Sequence, residues 1–100
     1  MEELNRVSEM EESNLVSGIE LSRQIFELEQ IRVVILAHPG ELFRPYPFNK
    51  CSGFTNRVYD VLERRLRPIL GETQYVVVSG TGEVNPHGRS TMGTIRGTYY

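Results

Sequence analysis

Seven consecutive residues, Ile31-Arg32-Val33-Val34-Ile35-Leu36-Ala37, constrain this chain more than any other stretch. Four of them are β-branched, which restricts χ1 and suits a pleated surface better than a helix. The run is apolar on both alternating sets of positions, broken only by Arg32, so it predicts a strand buried on both faces and central in its sheet. At this length it falls far below the ~20 apolar residues that span a bilayer, so it reads as a core element of a soluble protein.

The punctuation after it is equally informative. His38-Pro39-Gly40-Glu41 predicts a turn, with proline fixing φ and glycine accepting positive φ. In Leu42-Phe43-Arg44-Pro45-Tyr46-Pro47-Phe48, two prolines remove two ladder donors. That segment is therefore expected as an edge strand or an extended polyproline-like stretch. Residues 49–53 read as a loop. Thr55 then offers a cap for a helix reaching Leu66 or Leu70, with Val58, Val61, Leu62, Leu66, Ile69 and Leu70 as its core stripe. Pro68 cannot donate back to the carbonyl of Arg64, so the helix ends or kinks there, and Gly71 marks its exit. Tyr75-Val76-Val77-Val78 predicts a second buried strand, and Thr94-Ile95-Arg96-Gly97-Thr98-Tyr99 a last one.

Upstream, residues 1 to about 12 predict a frayed lead-in, and residues 13–30 a helix rich in glutamate, leucine and glutamine. Its apolar positions fall on two faces, Leu15, Ile19 and Phe26 on one, Leu21, Ile25 and Leu28 on the other; a strand starting near Ile25 competes. Charge divides at the same place. Residues 1–30 hold eight acids against Arg6 and Arg23, a net of −6, whereas residues 31–100 hold five acids against nine bases, a net of +4. The expected organisation is thus an acidic helical arm over residues 1–30 and an α+β domain over residues 31–100. That domain is a small two-layer arrangement, a mixed β-sheet packed by one main helix in ββαββ order. Element order over residues 31–99 resembles the β-grasp, or ubiquitin-like, roll. The sequence closes Gly97-Thr98-Tyr99-Tyr100, without the paired terminal glycines of the conjugated members. The resemblance implies a non-conjugated relative, and such a fold carries no function by itself.

Several chemistries lack their parts. Ser79-Gly80-Thr81-Gly82 follows a strand as a phosphate loop would, but no helix and no lysine follow it. Gly80 and Gly82 then read as a kink after the strand. Asn85-Pro86-His87-Gly88 reads as a reversal that leaves His87 and Arg89 exposed at a hairpin tip. Cys51 is the single cysteine, which excludes an internal disulfide and a cysteine-rich zinc site and suits a cytoplasmic setting. His38 and His87 lie far apart in sequence and show no metal-ligand spacing. No cofactor and no metal are expected. A cysteine-dependent enzyme lacks a local motif, so the chain is expected not to be an enzyme.

Binding readings are better supplied. Arg44, Lys50, Arg57, Arg64, Arg65 and Arg67 interleave with Tyr46, Phe48, Phe54 and Tyr59, offering cations beside stacking faces for RNA or single-stranded DNA. A protein partner is the leading expectation. The second apolar face of the first helix and the preordered Arg-Pro-Tyr-Pro-Phe segment both suit docking. Expected partner-binding residues are Arg44, Tyr46, Phe48, Arg57, Arg64, Arg67, His87 and Arg89; Leu15, Ile19 and Phe26 are expected to serve a homo-oligomer. The size suits an accessory regulator or inhibitor of the kind phages, plasmids or viruses encode.

Overall fold

The structure is a computed structural model that describes residues 14–99; the acidic lead-in expected over residues 1 to about 12 lies outside them. Strand β1, Val16–Ser17, runs directly into helix α1, Gly18–Glu29. Ser17 fixes that start, accepting the N–H of Glu20 at 3.1 Å, so the helix begins later than its composition suggests. Gln30 ends it in the left-handed region at φ 61°, donating its N–H to Phe26 O at 2.9 Å. The competing strand at Ile25 does not form; Ile25 is fully buried within α1.

Strand β2, Arg32–Ile35, pairs antiparallel with β4, Tyr75–Val78, in a register that sets Val33 opposite Val77. Strand β3, Leu42–Phe43, pairs antiparallel with β1. After Phe43 the proline-bearing segment leaves the ladder, as two missing donors require. Helix α2, Val58–Arg65, is followed by the short helix α3, Arg67–Leu70, with the break at Leu66, just ahead of Pro68. Thr55 does not cap α2; Arg57 occupies that position without a side-chain cap, and Val58 donates its N–H to Ser90 O at 2.9 Å. Tertiary pairing of residues 56–58 with residues 90–92 sets this helix end.

The largest departure lies at the end of the chain. Residues 94–99 are not a strand: helix α4, Met92–Arg96, runs into a 3₁₀ turn, Gly97–Tyr99. Thr91 accepts the N–H of Thr94 at 3.2 Å and caps it. Helical spacing places Met92, Ile95 and Arg96 together on the buried side, whereas a strand would send Ile95 and Arg96 to opposite faces. The protein is therefore a small helix-and-strand molecule with two two-stranded antiparallel sheets and four helices among its described residues. The single mixed sheet, the ββαββ order and the β-grasp arrangement are not what these elements build. Nor is β2 central, since it has one strand neighbour among the described residues.

One core gathers Leu21 and Ile25 of α1 with Ile31, Val33, Val58, Leu62, Leu66, Val77 and Met92. Gly80 is required where the last turn docks, because a Cβ there would sit 1.8 Å from the Thr98 carbonyl oxygen.

Candidate protein-interaction groove

A buried ionic cluster joins the elements around helix α1. Glu29, the last residue of α1, is fully buried. Its Oε2 accepts from Tyr46 OH at 2.6 Å and Arg65 Nη1 at 2.8 Å, and its Oε1 from the Ser52 N–H at 2.8 Å. Arg96 Nη2 lies 3.5 Å from Oε1, and Arg96 Nε donates to the Glu29 carbonyl at 2.6 Å. Burial, and next the Glu29 carboxylate, holds the Tyr46 hydroxyl far above its ordinary pKa, so it stays a donor. One carboxylate thereby ties α1, the 46–52 loop, α2 and α4 together, facing two guanidinium groups. With its lone pairs claimed by donors, Glu29 is a strut and not a free base. Ser52 Oγ is buried beside it without a hydrogen-bond partner among the described residues.

The flank of α1 and strand β2 face one another across a groove. Leu36 donates its N–H across the ladder to Gln74 O at 2.9 Å. Antiparallel pairing alternates, so Val34 also faces β4, while Val33 and Ile35 turn their backbone N–H and C=O groups to the other side. The far edge of β4 is closed: Asn85 N–H donates to Val77 O at 2.7 Å and Asn85 Oδ1 accepts the Val77 N–H at 3.2 Å. No strand pairs with that edge of β2 among the described residues, and Val33 on it is fully buried.

That edge forms one wall of an open groove of about 430 Å³ whose other wall is Gly18, Ile19, Ser22, Arg23 and Phe26 of α1. At Gly18 the helix packs on the strand in ordinary contact, a Cβ there lying 3.4 Å from Ala37 Cβ. Ile19 is 86% exposed, Phe26 41% and Val34 40%, so the groove is apolar and wet. Arg23 is held by Glu20 and Glu27 along the helix. Past Phe26 the groove meets a second recess of about 410 Å³, lined by Phe26, Glu27, Gln30, Arg96 and Tyr99. Tyr99 is anchored beside Phe26, the residue the two share. Its hydroxyl accepts the Arg32 N–H at 2.8 Å and donates to Val78 O, and its ring meets Phe26 edge-on at 5.7 Å.

No family model, curated protein or solved structure matches this chain.

The expected partner-binding residues are dispersed. Tyr46 is buried in the core, bonded to Glu29, and does not present its ring to a partner. Phe48 instead is exposed along one side, with the Arg65 guanidinium over its ring at 4.3 Å. Arg44, Arg57 and Arg64 are exposed; Arg67 is occupied by Glu63 and by the carbonyls of Gly71 and Thr73. His87 and Arg89 are exposed on a loop, where His87 Nδ1 accepts the Arg89 N–H at 3.0 Å. Of the residues expected at an oligomer contact, Ile19 and Phe26 share the groove wall and Leu15 is half-buried. Among the described residues no His, Cys, Asp and Glu side chains cluster as a metal-ligand set, and no helix is long and apolar enough to cross a membrane. Sequence reasoning missed Glu29, Arg96 and Tyr99. The Thr91-x-x-Thr94 spacing was the available signal that the last segment is a capped helix, which would have brought Arg96 and the core to one side.

Proposed function

We propose that this protein is a non-enzymatic interaction module that takes an apolar segment of a partner protein in the groove between α1 and β2. The observation that carries the reading is the open apolar groove whose walls leave Ile19, Phe26 and Val34 exposed. Apolar side chains of the guest enter the groove between Ile19 and Phe26 and bury surface that both leave exposed. The apolar flank of the groove selects for aliphatic guests. The reading fits an accessory regulator or inhibitor acting in the cytoplasm, where an apolar segment of a target is sequestered.

A nucleic-acid surface has less behind it, because Arg65, Arg67 and Arg96 are already engaged by carboxylates and carbonyls. Panning a display library of unstructured ten-residue peptides tests the groove reading. Enriched peptides should carry apolar side chains and shift the amide resonances of Ile19, Phe26 and Val34. Ile19→Glu, at an exposed position, should weaken them at least tenfold without lowering thermal stability. No enrichment, or binding indifferent to Ile19→Glu, defeats the reading.

A further inference from the structure

The sheet of β2 and β4 has two faces, and the core covers one of them. Side chains alternate along a strand, so the register that sets Val33 opposite Val77 turns both inward, where each is fully buried. Ile35 and Tyr75, the next pair on that face, pack against the same core. The alternate pairs point the other way. Val34 lies opposite Val76 and Arg32 opposite Val78, while Val84 extends the row through a bridge to Val78. Leu36 continues it past Val34. Val34 is 40% exposed, Leu36 54% and Val84 56%; Val76 and Val78 are half-buried, and none of the five packs against the core. We propose that two copies of the protein meet on this apolar face, stacked sheet on sheet about a two-fold axis, with β2 of one copy antiparallel to β2 of the other.

Charge selects a second copy as the occupant. At one end of the face stands Arg32, whose guanidinium makes no hydrogen bond or ion pair among the described residues. The other end lies ~13 Å along β2, at Leu36. There Leu36 donates to Gln74 O, and Glu72, in the turn two residues before Gln74, is exposed and likewise without an ion pair among the described residues. Glu41 lies nearby, but its carboxylate is engaged by the His38 N–H and the Thr73 hydroxyl. A face that is basic at one end, acidic at the other and apolar between complements itself when turned end for end. The alternative two-fold, with strands kept parallel, would set the two Arg32 side chains beside each other, and their repulsion opposes it. Branched side chains on facing sheets interdigitate at the usual spacing of ~10 Å. The formal net charge of −2 adds little repulsion between copies. Such a contact belongs among small interfaces, below about 1,200 Å² in total, so the dimer is weak and reversible. Ile19 and Phe26 lie outside this face, so the inference does not rest on the groove reading; Arg32 and Val34 border both surfaces.

Sedimentation equilibrium of the full chain, from micromolar to millimolar concentration, should show a monomer–dimer equilibrium. Leu36→Glu, at an exposed position, should weaken the dimer at least tenfold while leaving the melting temperature of the dilute monomer unchanged. Arg32→Glu and Glu72→Arg should each weaken it about threefold or more, and the double variant should restore it. Ile19→Glu, in the groove wall, should leave it intact. A monomer throughout the series overturns the proposal, as does a dimer indifferent to Leu36→Glu or one dissolved by Ile19→Glu. A dimer that Leu36→Glu weakens but the double charge exchange fails to restore overturns the antiparallel stacking.

Discussion

At the scale of single residues, Glu29 concentrates more dependence than any other side chain described. It is fully buried and receives Tyr46, Ser52, Arg65 and Arg96. Exchanging such a carboxylate for a neutral group does more than delete an attraction: it strands two guanidinium groups at low exposure, and stranded buried charge is the costly part. Glu29→Gln is expected to lower stability by about 3–5 kcal/mol, measured by urea denaturation, against a total of roughly 5–15 kcal/mol for a domain of this kind. A loss below about 1 kcal/mol would show that the arginines find water instead. None of this was legible beforehand. A glutamate near the end of a helix among other glutamates looks solvated, and its partners lie up to 67 residues away. Only the fold reveals that helix α1 turns Glu29 inward on the same side as Leu21 and Ile25.

Elements were readable where local chemistry decides and unreadable where tertiary packing does. The strands at 32–35 and 75–78, the proline-broken helix pair and the extended 44–48 segment follow from β-branching, missing N–H groups and the apolar stripe. The last element did not. Residues 94–99 carry isoleucine, threonine and tyrosine, good strand formers, yet the Thr91 cap and the burial of Arg96 against Glu29 make them helical. That docking depends on Gly80, whose amide donates to Thr98 Oγ1 at 2.7 Å and whose missing Cβ admits the Thr98 carbonyl. Gly80→Ala is therefore expected to destabilise by at least about 1–3 kcal/mol, the range for overpacking, because backbone must move. Gly88 supplies the control: a methyl group there would meet nothing within 4 Å, so Gly88→Ala should change little. Thermal unfolding of the two variants side by side checks this; equal melting temperatures would refute it. The groove inherits the result, since the turn displaced by Gly80→Ala holds Tyr99 between Arg32 and Val78.

For the molecule as a whole, the question is whether helix α1 belongs to the same cooperative unit as the rest. Charge and apolar periodicity divide the chain near residue 30, which is why residues 1–30 read as an arm. Packing argues for union. Leu21 and Ile25 are fully buried in the cluster that also holds Val33, Leu62 and Met92, and Glu29 bonds residues of three later segments. An element that contributes core side chains and a fully bonded carboxylate has no low-energy way to detach, because release exposes apolar surface and leaves two arginines without their counter-charge. Ile25→Ala should then lower the stability of the entire molecule by about 2–5 kcal/mol, the span for deleting a buried aliphatic side chain. Far-ultraviolet circular dichroism, which follows the helices, and tyrosine fluorescence, which follows five tyrosines that all lie outside α1, should move together through one shifted transition. Two separated transitions, with tyrosine fluorescence unmoved by Ile25→Ala, would restore the arm. The outcome bears directly on binding, because the groove has one wall on each side of that boundary and stays preformed only if the two walls unfold as one.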